Sequence, residues 1–252
     1  MTRWAPHKYY KIGVSKGISE KILSSALKQA HRTQDKDLPP ILTLGHLAFQ
    51  IDIPYWKIRQ YVTRESRILD SYIYRYTGYR TFNIKKKLKR KRKEVEYRVI
   101  SVPEIDLMKT QRWIDKFILT KIDTSPFSYA FTMGKSISDC AEQHLGCKWL
   151  IKIDLRNFFE SLSEIQVYKI FKDCGYNNLV SFELARICTK STKSKLRLEY
   201  NYWRTKRSMR ITEYNRIDIG HLPQGAPTSP KLANLIVKEL DIEVNKIAEE
   251  FE

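Results

Sequence analysis

Apolar positions recur at helical spacing through the first quarter of the chain. In residues 19–32 (SEKILSSALKQAHR), Ile22, Leu23, Ala26 and Ala30 share one helical face, with Ser19 as the cap. The stretch from Asp37 to Pro40 breaks that pattern. Residues 43–65 then hold two short helical patterns, TLGHLAFQI and PYWKIRQYVTR, the second with Pro54 in its first turn. This pair fits a compact helix-turn-helix as well as a plain helical hairpin, and the hairpin is the expectation carried forward.

From Tyr72 the text turns β-favouring (YIYRYTGYRTF), and VEYRVISVP follows with Val95, Tyr97, Val99 and Ser101 alternating. The two read as a β-hairpin whose connecting loop is KKKLKRKRK, residues 85–93. Leu107 to Ile122 predicts a helix with Leu107, Trp113, Ile114, Phe117 and Ile118 inward. CKWLIKID, Cys147 to Asp154, predicts an apolar strand that ends on a carboxylate. Ser163 and Gln166 have capping-box spacing for a helix reaching Lys172, and Gly175 is suited to stop it. A second helix is expected over 178–189. One final helix, capped by Thr228 or Ser229 with Pro230 in its first turn, is expected to carry Leu232, Leu235, Ile236, Leu240, Val244 and Ile247 inward.

Neither a repeat nor a Gly/Ser linker divides the 252 residues, which leaves room for one large domain or two small ones. Charge changes the picture more. Lys and Arg number 46 against 28 Asp and Glu, a formal net charge of +18. Residues 85–93 contribute eight of those charges, and Lys190 to Arg216, with nine basic residues and two acids, contributes seven. The rest of the chain is near neutral. Clustered cations gain affinity by displacing counterions from phosphates, so nucleic acid is the expected partner class. In the second segment Tyr200, Tyr202, Trp203 and Tyr214 stand among the cations, a mixture suited to stacking on unpaired bases, with Lys206, Arg207 and Arg210 as contacts. No apolar run has the length of a membrane span, and MTRWAPHKYYK lacks the core of a signal peptide. The cysteines form no CxxC pair and the histidines lack zinc-finger spacing. Reduced thiols and a cytoplasmic location are therefore expected.

Asp154, at the end of an apolar strand, is placed to meet a hard cation such as magnesium, although a strand-end aspartate can equally cap a turn. LPQGAPTSP sets Gln224 beside Gly225, where an amide and an open backbone meet a ligand closely, and then starts a helix whose amides favour anions.

Taken in order, YRVISVP, SPFSYAF, IKIDLRNFFESL and GHLPQGAPTSPKLANL resemble the successive blocks of bacterial reverse transcriptases, nearest to those of retrons and related antiviral defence systems. The likeness covers roughly residues 60–252. It implies an α+β right-hand polymerase: a helical N-terminal extension (1–66), fingers (67–148) and an incomplete palm (149–252) with a basic-aromatic insert at 190–216. By the same resemblance Asp154 and the Leu155 carbonyl hold magnesium (Mg2+) and Phe159 excludes a ribose 2′-OH. Gln224, with Gly225, lies over the incoming deoxynucleotide, whose triphosphate Arg98 contacts. One of Phe158 and Phe159 is expected in the core. The basic hairpin loop would follow the template backbone.

Two departures qualify that implication. The family's Tyr-x-Asp-Asp sequence is missing, and the chain holds no Asp-Asp pair. Two-metal phosphoryl transfer needs ligands on both sides of the phosphate. The expectation is therefore an N-terminal portion of a longer polymerase, or a split or truncated product, inactive alone. The retron signature Asn-Ala-x-x-His is matched only at Ala141 and His144, with Cys140 in the first place, which leaves a sister defence group open. The implied function is RNA-directed DNA polymerisation by a nucleotidyltransferase of a retron-like antiviral system. Its partners would be a structured noncoding RNA, the DNA product and deoxynucleoside triphosphates, with room for an effector protein and no membrane. The alternative is a noncatalytic RNA-binding or assembly module on the same fold.

Overall fold

A computed structural model describes residues 5–64, 66–69, 72–75, 78–85, 97–191 and 219–250. The N-terminal third is four helices: α1 (Pro6–Ser15), α2 (Glu20–Gln34), α3 (Leu44–Ile51) and α4 (Tyr55–Thr63). α1 was not legible in the sequence. Its Gly13 lies against α2 so closely that a Cβ would overlap Leu23. Ser19 precedes α2 in extended geometry, but its side chain makes no capping bond. The α3–α4 pair is the expected helical hairpin. Thr43 caps α3 by accepting from His46 N, and Asp52, in the left-handed region at φ 53°, turns the chain toward α4. Pro54 sits one place earlier than expected, at the N-cap of α4.

Two antiparallel hairpins follow, β1 (Ser66–Leu69) with β2 (Tyr72–Arg75) and β3 (Tyr79–Lys85) with β4 (Tyr97–Pro103). β3 and β4 form the expected hairpin, and its register runs from Tyr79 opposite Pro103 to Lys85 opposite Tyr97. Residues 86–93 of its expected basic loop lie outside the described residues. The alternation does not mark a buried face along the whole strand. Tyr97 and Val99 are exposed, and β4 is buried only toward Ser101 and Pro103, where α5 (Ile105–Phe117) begins.

The α5 helix starts two residues before the expected boundary and ends in a 3-10 turn at Leu119–Lys121. It buries Leu107, Thr110, Gln111 and Ile114, while Trp113 and Phe117 pair at its margin with ring centroids 5.2 Å apart. The short α6 (Ile137–Glu142) and α7 (Phe158–Ser161) flank the segment expected to be a strand. That expectation fails, because residues 147–155 are irregular and exposed. A strand exists only as one side of a hydrogen-bonded ladder, and no described strand pairs with this one. Trp149, Ile151 and Ile153 stay in solvent, Trp149 at 90% exposure.

The predicted capping box is present at the start of α8 (Glu164–Asp173): Ser163 N donates to Gln166 Oε1 at 2.8 Å and Gln166 N to Ser163 Oγ at 3.4 Å. Gly175 (φ 96°) follows where a Cβ would stand 3.0 Å from Arg32 O of α2. α9 (Asn178–Cys188), capped by Asn177, is buried along most of its length, with Glu183 and Arg186 among the buried side chains. The final helix is two, α10 (Ser229–Ile236) and α11 (Lys238–Glu249), separated by a bend at Val237. Backbone bonds from Val237 N to Ala233 O and from Asp241 N to Val237 O cross the bend. Neither Thr228 nor Ser229 caps by side chain; Ser229 Oγ instead donates to Pro223 O at 2.7 Å. Leu232 and Leu235 are buried as expected, whereas Leu240, Val244 and Ile247 are exposed.

One apolar cluster runs from Leu38 through α3, α4, α5, α8 and α9 to Leu235. Each fully buried Leu or Ile in it contributes about 1.5–3 kcal/mol relative to exposure. All four cysteines are free, and burial pushes the Cys174 and Cys188 thiols up to about 12, which keeps them unreactive. Among the described residues no helix is long and apolar enough to cross a membrane.

Candidate active site

The loop before α10 is fixed at both ends. Ser101 N on β4 donates to Gln224 O at 2.8 Å, and Gly225 (φ 108°) lies so close to the strand that a Cβ would be 3.0 Å from Ile100 Cγ2. This is a position for glycine on two counts, conformation and space. Gln224 and Gly225 are thus joined to the strand carrying Arg98, three residues from Ser101 and exposed.

Behind the loop three helix ends meet around one carboxylate. Arg64, the left-handed residue ending α4 (φ 52°), donates through Nη2 to the carbonyls of Arg186 and Thr189 at 2.7 Å each, where α9 ends. Arg186 returns the arrangement, its Nε donating to Val62 O at 2.9 Å at the end of α4. Each arginine satisfies the last carbonyls of the other's helix, and each cation stands at a negative helix terminus. Between them lies Glu164, fully buried in the first turn of α8, where a carboxylate is favoured. Arg64 Nη1 is 2.7 Å from Glu164 Oε2 and Arg186 Nη1 is 3.5 Å from Oε1.

The same carboxylate reaches the loop. Thr189 Oγ1 and Gly220 N donate to Glu164 Oε2 at 2.8 and 3.2 Å, and Glu164 N donates to Gly220 O. A Cβ on Gly220 would overlap Glu164 Oε2 and stand 2.8 Å from both Arg64 Nη1 and Thr189 Oγ1, so the cradle admits only glycine. His221 and Lys190 exchange backbone bonds of 2.9 and 3.0 Å, and Leu222 N donates to Leu162 O. Burial holds the His221 imidazole below its ordinary value; the Leu222 carbonyl and Glu160 oppose this, and Lys190 and Arg64 add to it. Lys190 extends across to the hairpin, with Nζ 2.5 Å from Thr81 Oγ1 and 3.1 Å from Ser101 Oγ, and burial lowers its pKa.

Asp154 and Leu155 stand apart from this framework. Both are exposed in the irregular segment, and no hydrogen bond or ion pair among the described residues ties Asp154 to Arg98 or Gln224. Phe159 packs half-buried on the core beside Phe158, with ring centroids 5.6 Å apart. Both rings therefore touch the core, rather than one alone. For a magnesium ion, one carboxylate and one carbonyl are donors of suitable hardness but an incomplete set. No cluster of three or more metal-binding side chains occurs among the described residues. A hollow of about 630 Å³ between α8 and the 3-10 turn, lined by Lys36, Asp123, Lys169 and Lys238 among others, includes none of the expected site residues.

The buried cluster was missed by sequence reasoning. Its signal was Arg186 inside the largely apolar NLVSFELARIC. Buried charges are seldom left without partners, so that text announces an ion network but not its members.

Residues 84–251 match the profile of the reverse transcriptase (RNA-dependent DNA polymerase) family. The chain belongs to that family, whose fold is a right-hand polymerase, and its own mixture of helices and hairpins accords with this. Among its relatives are retron enzymes. It is 35% identical over 170 residues to the retron Ec86 reverse transcriptase of Escherichia coli, covering 68% of this chain and 43% of that protein. It is 30% identical over 144 residues to the retron Mx65 reverse transcriptase of Myxococcus xanthus, covering 57% and 31%. The retron Ec83 enzyme of Escherichia coli is 25% identical over 175 residues, covering 69% and 48%. The chain thus spans less than half the length of these relatives.

Proposed function

We propose that the chain forms the fingers and part of the palm of a retron-type reverse transcriptase, an RNA-directed DNA polymerase of an antiviral defence system. The observation that carries this reading is the Ser101–Gln224 backbone bond, which fastens the glutamine loop to the strand bearing Arg98. In this reading residues 1–66 are a helical extension, 67–148 the fingers and 149–252 the partial palm, with the insert at 190–216 gripping a structured noncoding RNA.

Arg98 pairs with the triphosphate of an incoming deoxynucleotide, and Gln224 and Gly225 bound its base and sugar. Phe159 leaves no room for a 2′-OH. The primer 3′-OH attacks the α-phosphate, forming the new P–O bond as pyrophosphate leaves. Asp154 and the Leu155 carbonyl would hold magnesium, which when bound offsets the charge developing on the phosphates. The incomplete donor set favours a second reading for this chain by itself, a noncatalytic RNA-binding module.

Incorporation of labelled deoxynucleotide on a primed RNA template separates the two. The 252-residue chain is expected to show none, and a longer protein containing it is expected to show incorporation abolished by Asp154→Ala. Incorporation by that protein that survives Asp154→Ala would sink the catalytic reading.

A further inference from the structure

The α3–α4 turn carries three aromatic side chains in eight residues, Phe49, Tyr55 and Trp56, at 81%, 51% and 61% exposure. These rings are not core residues left over. The inward faces are already filled by Leu44, Leu47, Ala48 and Ile51 from α3 and by Ile58, Tyr61 and Val62 from α4. The turn is also held in place, since Ile53 is buried and Lys109 Nζ donates to Asp52 O at 3.1 Å.

That lysine belongs to a second feature. Ile105, Lys109, Arg112 and Lys116 follow one another along α5 at steps of four, three and four, the spacing of one helical face, and all four are exposed. From Lys109 to Lys116 the stripe runs roughly 10 Å at the helical rise. Acids do not cancel it. Asp106 pairs with Lys57, Glu104 accepts from the Tyr61 hydroxyl and Asp115 interacts with Lys231 of α10. Among the described residues from α3 to α5 the remaining acid is Asp52, in the turn itself.

We propose that the α3–α4 turn and the exposed face of α5 together bind a single-stranded segment of RNA, the rings stacking on bases and the stripe following the phosphates. The cations decide the class of partner, because rings alone would serve a protein interface equally well, whereas rings beside a row of cations complement unpaired nucleic acid. This deepens the proposed function and rests on it, since the strand held here would be part of the template or primer RNA. The surface draws on no residue of the basic segments at 85–93 and 190–216.

The test is fluorescence anisotropy of the whole chain with a labelled 12-nucleotide oligouridine RNA over a range of salt. Phe49→Ser/Tyr55→Ser/Trp56→Ser should weaken binding roughly ten-fold at fixed salt and leave the salt dependence unchanged. Arg112→Gln/Lys116→Gln, which spares the lysine holding the turn, should instead lower the slope of log K against log salt by about 1.4. Trp56→Phe alone, which keeps a ring for stacking, should retain most of the affinity. Circular dichroism melts show whether the variants fold. If any does not, the single substitutions Phe49→Ser and Lys116→Gln carry the same readouts at reduced size. Three results overturn the proposal: no binding by the unaltered chain at low salt, aromatic variants within two-fold of it, or an unchanged salt slope in Arg112→Gln/Lys116→Gln. Because no nucleotide incorporation is measured, an inactive polymerase leaves the result readable.

Discussion

At the scale of single residues, Glu164 has the largest consequence. It is one carboxylate facing two buried guanidinium groups and a backbone amide. Removing one partner of a buried ion pair costs about 3–5 kcal/mol, chiefly because the other charge is left uncompensated. Glu164→Gln should therefore lower unfolding free energy by about that amount in urea titrations, and a loss below about 1 kcal/mol would show that Arg64 and Arg186 find other partners. Gly220→Ala should destabilise through the same cradle, by displacing the carboxylate. The histidines give a pH dependence with a definite sign. Burial holds His46 and His221 below the ordinary value of 6.5, so the folded state favours the neutral ring. The unfolded chain takes up protons first as pH falls, so stability is full above about 6.5 and drains below it. Between pH 7 and 5.5 the unfolding midpoint should fall, and it should fall less steeply in a His46→Gln/His221→Gln variant. Parallel slopes would exclude this origin. Asp115 and Asp241, raised by burial, act in the opposite direction and cancel in that comparison.

At the scale of elements, success in reading the sequence followed the range of the forces. The capping box of Ser163 and Gln166 spans four residues and is present as read. So are the α3–α4 hairpin and the β3–β4 pairing, each set by neighbours in the chain. CKWLIKID failed for the opposite reason. Its apolar text states that the segment belongs inside a sheet, but a ladder needs a second strand, and the text cannot supply one. Asp154, the sharpest candidate in the sequence, therefore sits on backbone that no described ladder supports. Lys148, Lys152 and Arg156 are all exposed there. Limited trypsin digestion should cut among these three before it cuts α8 or α9, and earlier cleavage inside α9 would contradict the arrangement.

At the scale of the whole molecule, the buried cluster could not be read in advance, because Arg64 and Glu164 lie a hundred positions apart and each looks like an ordinary surface residue at a helix end. What the sequence did disclose was the family blocks, since their residues are contiguous. The cluster is what unites the chain: through it the N-terminal helices, α8, α9 and the glutamine loop share one anchor. The Lys190–His221 backbone pair adds a property of a different kind. It closes the neck of everything between those residues, so the basic-aromatic stretch departs from and returns to one clamped point. Chain closed between two paired residues changes length at little entropic cost, each doubling adding about 0.6 kcal/mol. Replacing residues 193–217 by a short Gly/Ser turn should leave the melting temperature within a few degrees while RNA affinity falls, and a collapse of the melt would show the stretch to be part of the core. If the melt holds, the neck is a socket, and the stretch it carries is exchangeable between relatives without rebuilding the fold around it.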